Sequence, residues 1–285
     1  MSSSAATPDH GTRPTFSPYA GRHRSFTIAM APLDPSEWLH VDENRDAEIA
    51  EKREIFATDP EGFRAEPGTE AAQAEVAAMV GEHLAARGVP AEPPHGVPPL
   101  MAAALCVQDD LVIMRRRNEA WHLVAAALCF PSAWSLDEKF ARPMDAIHEH
   151  VPHWDKMGGR VHRIFDSLRP EQLVWRLNWA VQLGGGLRDS KPKQGPRPWD
   201  APDATDFIRV ERQTLRKLPQ SGDILFTIRV FMDPFAVLAA QPDRAELASR
   251  LHARIADFSE HELRYKRLYD RRQLLLDKLA AIASA

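Results

Sequence analysis

The chain has 285 residues, 44% hydrophobic and 27% charged, enough for one large domain with a core of its own or for two small ones. A net charge of −4 argues against a polyanion such as nucleic acid as partner, and the one basic run, Arg115-Arg116-Arg117, reads as a solvated strand end or loop. Cys106 and Cys129 are too few for a disulfide framework, and no Cys-x-x-Cys offers an iron–sulfur or structural zinc site. With no signal-peptide run and nothing near the ~20 apolar residues of a membrane span, a cytoplasmic location away from the membrane is expected.

In chain order, residues 1–24 are expected to be disordered, leaving 25–285 as a single folded unit. Leu33-Asp34-Pro35-Ser36-Glu37-Trp38 reads as a turn and docking segment, in which Asp34 or Ser36 can cap a short helix. Ile49, Ile55 and Phe56 lie among charges over 46–56, which suits a surface helix. Over 69–87, Ala, Val, Met and Leu recur at helical spacing, and Gly88 supplies a stop. Five prolines over 90–99 demand a linker or turn.

Beyond Leu100 the pattern changes. Leu105-Cys106-Val107 and Leu111-Val112-Ile113-Met114 flank Gln108-Asp109-Asp110 and read as a hairpin; a third apolar run covers 121–130. Residues 136–147 read as helix and 168–183 as mixed. Gly184-Gly185-Gly186 opens a long Pro- and Gly-rich loop that runs toward Asp206. The clearest hairpin joins 207–218 to 224–231 through Pro219-Gln220-Ser221-Gly222-Asp223. Residues 244–283 are helical. The fold class is therefore α+β: a central antiparallel sheet with helices before, between and after its strands.

Twelve histidines offer candidate ligands, and His148, His150 and His153 cluster in Ile147-His148-Glu149-His150-Val151-Pro152-His153. Neutral imidazole suits iron, zinc and copper. The spacing and Pro152 disfavour a closed zinc site built from this cluster. One axial haem ligand needs no fixed spacing; the plainer alternative is a structural or surface His148. In Arg209-Val210-Glu211-Arg212-Gln213-Thr214-Leu215, strand alternation puts Arg209, Glu211 and Gln213 on one face and Arg212 and Thr214 on the other, with Arg229 on the partner strand. Either an exposed face carries alternating charges, or one face lines a polar pocket. In such a pocket an arginine stabilises a negatively charged oxygen species while a carboxylate holds a cationic amine. Arg209 and Glu211 are expected to form the inward pair, joined by Arg229. Trp175 and Trp179 flank Arg176-Leu177-Asn178 and belong either to the core or to the wall of a cofactor pocket. The three glycines lack a dinucleotide fingerprint, and Cys129 reads as an inert buried thiol before a haem thiolate.

Several segments in order carry a resemblance. They are Pro32-Leu33-Asp34-Pro35-x-x-Trp38, Cys129-Phe130-Pro131-Ser132-x-Trp134 with Glu138-Lys139, and Arg142-Pro143 leading to Ile147-His148. Arg176-x-Asn178-Trp179 follows, then Arg209-x-Glu211-Arg212-Gln213-Thr214-Leu215-x-x-Leu218-Pro219-x-Ser221-Gly222 and Phe226-x-Ile228-Arg229. Together they resemble the haem-dependent oxidative N-demethylase alpha-subunit-like family, from about Phe26 to the final helix. One departure is Glu149-His150-Val151-Pro152, where the family continues with Pro-Val-Pro.

The resemblance implies a PAS-like fold and a b-type haem held by a histidine. It implies O2-dependent oxidative demethylation of a small secondary amine, dimethylamine in type, to the demethylated amine and formaldehyde. Electrons would come from NADPH through separate flavin and iron–sulfur subunits. Carried onto this chain, His148 is the proximal ligand, with Trp179 and Asn178 beside the cofactor. Arg209, Glu211, Arg212 and Arg229 become the pocket candidates, Glu211 binding or deprotonating the ammonium. A haem-based PAS gas or redox sensor, and a haem-free binding protein, are the alternatives.

Overall fold

A computed structural model describes residues 14–21, 25–189 and 206–285. Its centre is one seven-stranded sheet. The strands are β1 (Ala31–Pro32), β2 (Phe63–Ala65), β3 (Asp110–Arg117), β4 (Ala120–Ala127), β5 (Leu173–Leu183), β6 (Asp206–Lys217) and β7 (Ile224–Pro234). They lie in the order β1-β5-β6-β7-β3-β4-β2, with every neighbouring pair antiparallel. The long strands β5, β6 and β7 form a continuous platform, because their hydrophobic residues alternate and both faces find cover.

The helices are α1 (Arg45–Thr58), α2 (Glu70–Ala86), α3 (Pro99–Ala104), α4 (Leu136–Lys139), α5 (Met144–Ile147), α6 (Trp154–Ser167), α7 (Phe235–Ala239), α8 (Arg244–Ala256), α9 (Glu260–Tyr265) and α10 (Arg272–Ser284). On one face of the sheet, α4 to α6 cover Phe207, Leu215, Ile228 and Val230. Helix α6 does so through Trp154, Val161, Ile164 and Phe165, one stripe at helical spacing. On the other face, Val76, Val80, Leu84 and Leu100 of α2 and α3 pack on Leu111, Val124 and Leu225. Further along that face, Leu251, Ile255, Leu275 and Leu279 of α8 and α10 pack on Val181, Val210 and Phe231. Among the described residues no helix is long and apolar enough to cross a membrane.

The α+β class, the 207–231 hairpin and the helices over 46–56 and 69–87 match the sequence expectations. Asp34 caps the short helical turn Pro35–Glu37, accepting from the Ser36 amide at 2.8 Å. Three expectations are corrected. Residues 14–21 are ordered: Tyr19 is 1% exposed and packs edge-on against Trp179, while Phe16 packs on Phe231. The remainder of 1–24 and residues 190–205 of the long loop lie outside the described residues. The helix expected over 136–147 is two short helices, parted by Ala141 in the left-handed region and by Pro143. The first hairpin is not at Gln108-Asp109-Asp110. Leu105 ends α3, and β3 turns into β4 through Asn118-Glu119.

That two-residue turn has φ of 49° at Asn118 and 63° at Glu119, the geometry that twists with the strands and favours Asn-Gly. Glu119 is exposed and has a side chain where glycine fits better. Replacing it by Gly relieves left-handed strain, partly offset by chain entropy, and is expected to add up to about 1 kcal/mol. The measurement is a rise in the urea midpoint at unchanged slope.

Candidate functional site

The sheet face beneath α4 to α6 carries a connected polar network. Alternation sends Arg209, Glu211 and Gln213 of β6 to this face, and the β5 register sets Asn178 opposite Glu211 and Arg176 opposite Gln213. Glu211 Oε1 accepts from Arg209 Nε at 3.3 Å. Oε2 accepts from Gln213 Nε2 at 2.9 Å and Asn178 Nδ2 at 3.3 Å. Gln213 Oε1 accepts from Arg176 Nε at 2.7 Å. Burial alone would raise the Glu211 pKa. The Arg209 charge and the hydrogen bonds from Asn178, Arg209 and Gln213 outweigh it and hold the carboxyl below its ordinary value. Glu211 is thus an ionised carboxylate in a setting mostly closed to water.

Arg209 works from behind this carboxylate. It is 1% exposed, and its Nη1 and Nη2 donate to the carbonyls of Leu187 and Phe130, each at 2.6 Å. Nearby, Asp110 accepts from the Cys129 and Phe130 amides, so the turn after β4 is pinned from two sides. Burial, with Asp110 beside it, pushes the Cys129 thiol far up, which leaves it an unreactive core residue.

Three candidates point elsewhere. Arg212 and Arg229 are register partners on the opposite face of the sheet, so Arg229 does not join Arg209 and Glu211. Arg212 donates to the carbonyls of Glu37 and Trp38, each at 2.6 Å. Arg229 pairs with Asp42 at 2.7 Å and Glu48 at 2.8 Å. Both are spent on structure. Trp179 also faces away from its neighbour Asn178, stacks on Phe258, and is 5% exposed in the core under α8 to α10. Strand alternation accounts for Arg212 and Trp179; Arg229 follows from the register that pairs it with Arg212, and no bulge interrupts β6 or its pairing with β5 and β7.

His148 caps α5, over the same sheet face as Glu211. Its Nδ1 lies 2.9 Å from the Met144 carbonyl, which can only accept, so Nδ1 carries the proton and Nε2 is left with a lone pair. Burial lowers its pKa to about 4, with the Arg176 and Lys139 charges acting in the same direction, so the ring is neutral at neutral pH. Two backbone turns, Val151 N to His148 O at 2.8 Å and Trp154 N to Val151 O at 3.1 Å, fold the chain back. They lay the Trp154 indole on the imidazole, 4.4 Å between centres and 13° from parallel. Trp154 Nε1 donates to Asp145 Oδ1 at 3.0 Å, and that oxygen also meets His162 Nε2 at 2.9 Å. The imidazole plane is therefore held from its rim and from its face.

The other two histidines of the cluster turn away. His150 is 80% exposed beside Glu149, and His153, in the left-handed region, reaches Glu262 at 3.3 Å. Among the described residues no group of three or more His, Cys, Asp or Glu gathers as a metal cage. What the site presents is one neutral imidazole and one ionised carboxylate on facing layers.

Sequence reasoning named Glu211, Asn178 and His148 but gave no role to Arg176, Gln213, Trp154 or Lys266. Lys266 donates to the Trp179 carbonyl at 2.5 Å, at the edge of β5. Burial lowers its pKa to about 8; Glu211 raises it and Arg176 lowers it. Period-two alternation already linked Gln213 with Glu211. The β5–β6 register that brings in Arg176 is not written in either strand.

Residues 88–276, roughly two thirds of the chain and including every residue of this network, match the family described as "Haem-dependent oxidative N-demethylase, alpha subunit-like".

The His148 geometry sets a pH dependence. Its folded pKa of about 4 lies below the ordinary 6.5, so between those values the unfolded chain binds the extra proton. In haem-free protein, its contribution to stability is complete above pH 6.5 and is lost as pH falls toward about 4. Urea titrations across this window are expected to show a shallower pH slope for His148→Gln than for the wild type.

Proposed function

This chain belongs to the haem-dependent oxidative N-demethylase alpha-subunit-like family, and on that basis we propose that it binds one b-type haem through His148 and oxidatively demethylates a small secondary amine of the dimethylamine type, giving the demethylated amine and formaldehyde. The observation that carries this reading is the His148 imidazole: neutral, proton on Nδ1, lone pair on Nε2, oriented by the Met144 carbonyl and the Trp154 stack. Histidine ligands of metals are held in this way, with the second nitrogen donating to a backbone carbonyl or carboxylate. Partly buried apolar side chains on the same face of the sheet, including Met30, Phe140, Ile147 and Ile164, suit a large flat macrocycle. Non-covalent attachment follows from the lack of a Cys-x-x-Cys-His sequence.

The bound haem supplies the redox and O2 chemistry. The chain supplies placement and charge. Glu211 binds the ammonium of the amine and can take its proton. Asn178 and Gln213 fix the direction of Oε2, and Arg209 keeps the carboxylate ionised. Arg209 acts through Glu211, its other donors being held by backbone carbonyls. Arg212 and Arg229 support the opposite face and have no part in the pocket.

The alpha-subunit description supports a multisubunit enzyme. In our reading residues 25–285 are one haem-binding unit of PAS-like type, and NADPH electrons arrive through flavin and iron–sulfur subunits. The chain has neither a dinucleotide fingerprint nor the cysteines for a cluster.

Purified protein is expected to show a histidine-ligated Soret band that shifts on adding dimethylamine. His148→Ala should lose haem or change the ligation spectrum; an unchanged spectrum would refute the assignment. Glu211→Gln should retain haem but lose amine-dependent formaldehyde release by on the order of 10²–10³. Full activity in that variant would reduce Glu211 to a structural charge. NADPH alone, without reductase subunits, should support no turnover.

A further inference from the structure

Among the described residues two cations at one end of the site have no carboxylate in ion-pair contact, although Glu211 acts on both from farther off. Arg176 spends Nε on Gln213 Oε1 at 2.7 Å and Nη1 on the Thr27 carbonyl at 3.4 Å. Lys266 follows α9, reaches the edge of β5 and uses one donor on the Trp179 carbonyl. Its ammonium also lies 5.0 Å from the Phe26 ring centre and 5.2 Å from that of Trp179. Among the described residues neither cation forms an ion pair. The nearby carboxylates are committed: Glu211 to Arg209 and Glu262 to His153.

Carbonyl oxygens and ring faces solvate a cation but do not cancel its charge. Both residues are half-buried, and neither side chain spends all of its donors on the partners named above. The depressed pKa of Lys266, caused by burial and by the Arg176 charge against the pull of Glu211, is what an anion placed between the two cations would reverse. The segment Phe26–Thr27 lies across both, so the subsite is closed by the chain entering β1.

We propose that Arg176 and Lys266 form a subsite for a carboxylate of the bound ligand. This rests on the function proposed above and goes one step further, because an amine alone brings no anion. Two sources carry that chemistry: a propionate of the haem, or the acid group of a substrate that is an N-methyl amino acid rather than a simple dialkylamine. A guanidinium and an ammonium that both reach the Phe26–Thr27 segment favour either one, since charge-assisted hydrogen bonds are the strong ones.

Two titrations separate the sources. In the first, the full-length chain stripped of haem is titrated with haem and with haem dimethyl ester, followed in the Soret region. In the second, the protein as purified is titrated calorimetrically with N-methylglycine and with dimethylamine. A propionate subsite predicts that wild type binds haem about tenfold or more tighter than the diester, and that Arg176→Gln with Lys266→Met erases this preference. A substrate subsite predicts the same loss in the preference for N-methylglycine over dimethylamine. Thermal unfolding controls for folding, and the single Lys266→Met variant serves if the double variant is unstable. Wild type lacking both preferences, or variants that keep them, would overturn the proposal. If His148→Ala leaves haem binding unaltered, the ligand assignment fails separately, while the calorimetric arm still decides on the carboxylate.

Discussion

An ionised carboxylate inside a protein requires a counter-charge and filled hydrogen bonds, and much of this architecture follows from meeting that need at Glu211. The counter-charge, Arg209, comes from its own strand two residues away, which is possible because β6 is straight and strictly alternating. The hydrogen bonds come from Gln213 on the same strand and Asn178 on the next. Arg209 then binds the carbonyls of Leu187 and Phe130, so the electrostatic anchor of the carboxylate also ties down the segments that follow β5 and β4. A shift of β5 by one residue would carry Asn178 to the other face and put the apolar Leu177 or Trp179 beside the carboxylate.

The same strand supports a second polar system on its reverse side. Arg212 and Arg229 stand opposite each other, a like-charge pair that is tolerable only because each has its own partners. Arg212 has the carbonyls before and at Trp38; Arg229 has Asp42 and Glu48. Burial raises the Glu48 pKa to about 7 even with Arg229 beside it, a sign of how little water reaches this layer. The sheet thus separates one charged network that holds α1 and its approach from another that faces α5 and α6.

Alternation made the split of Arg209 and Glu211 from Arg212 legible in the sequence, since it needs only the period of a strand. The placement of Arg229 was not legible, because it depends on which residue of β7 pairs with Arg212, and the turn at Pro219 to Asp223 sets that register. Its aromatic ring makes Trp179 a candidate for the cofactor wall, yet adjacency to Asn178 along a strand sends the two side chains to opposite faces. Gly158 and Gly159 sit inside α6, where local propensity disfavours a helix, and nothing in the sequence shows that Trp154 folds back on His148. Gln108-Asp109-Asp110 reads as a hairpin turn because it is a polar run between two apolar ones. Those acids are instead buried beside Lys52, whose ammonium takes the Asp109 carbonyl at 2.5 Å.

The short strap before β1 has a practical consequence. Tyr19 fills a place against Trp179, Phe16 covers Phe231, and Arg250 and Arg254 of α8 hold the carbonyls of Tyr19, Ala20 and Gly21. A chain begun at residue 25 would strip two aromatic rings from the sheet and leave three arginine hydrogen bonds without acceptors. Its solubility would suffer first, because the Trp179 indole and the Phe231 phenyl ring would be bared as new apolar surface.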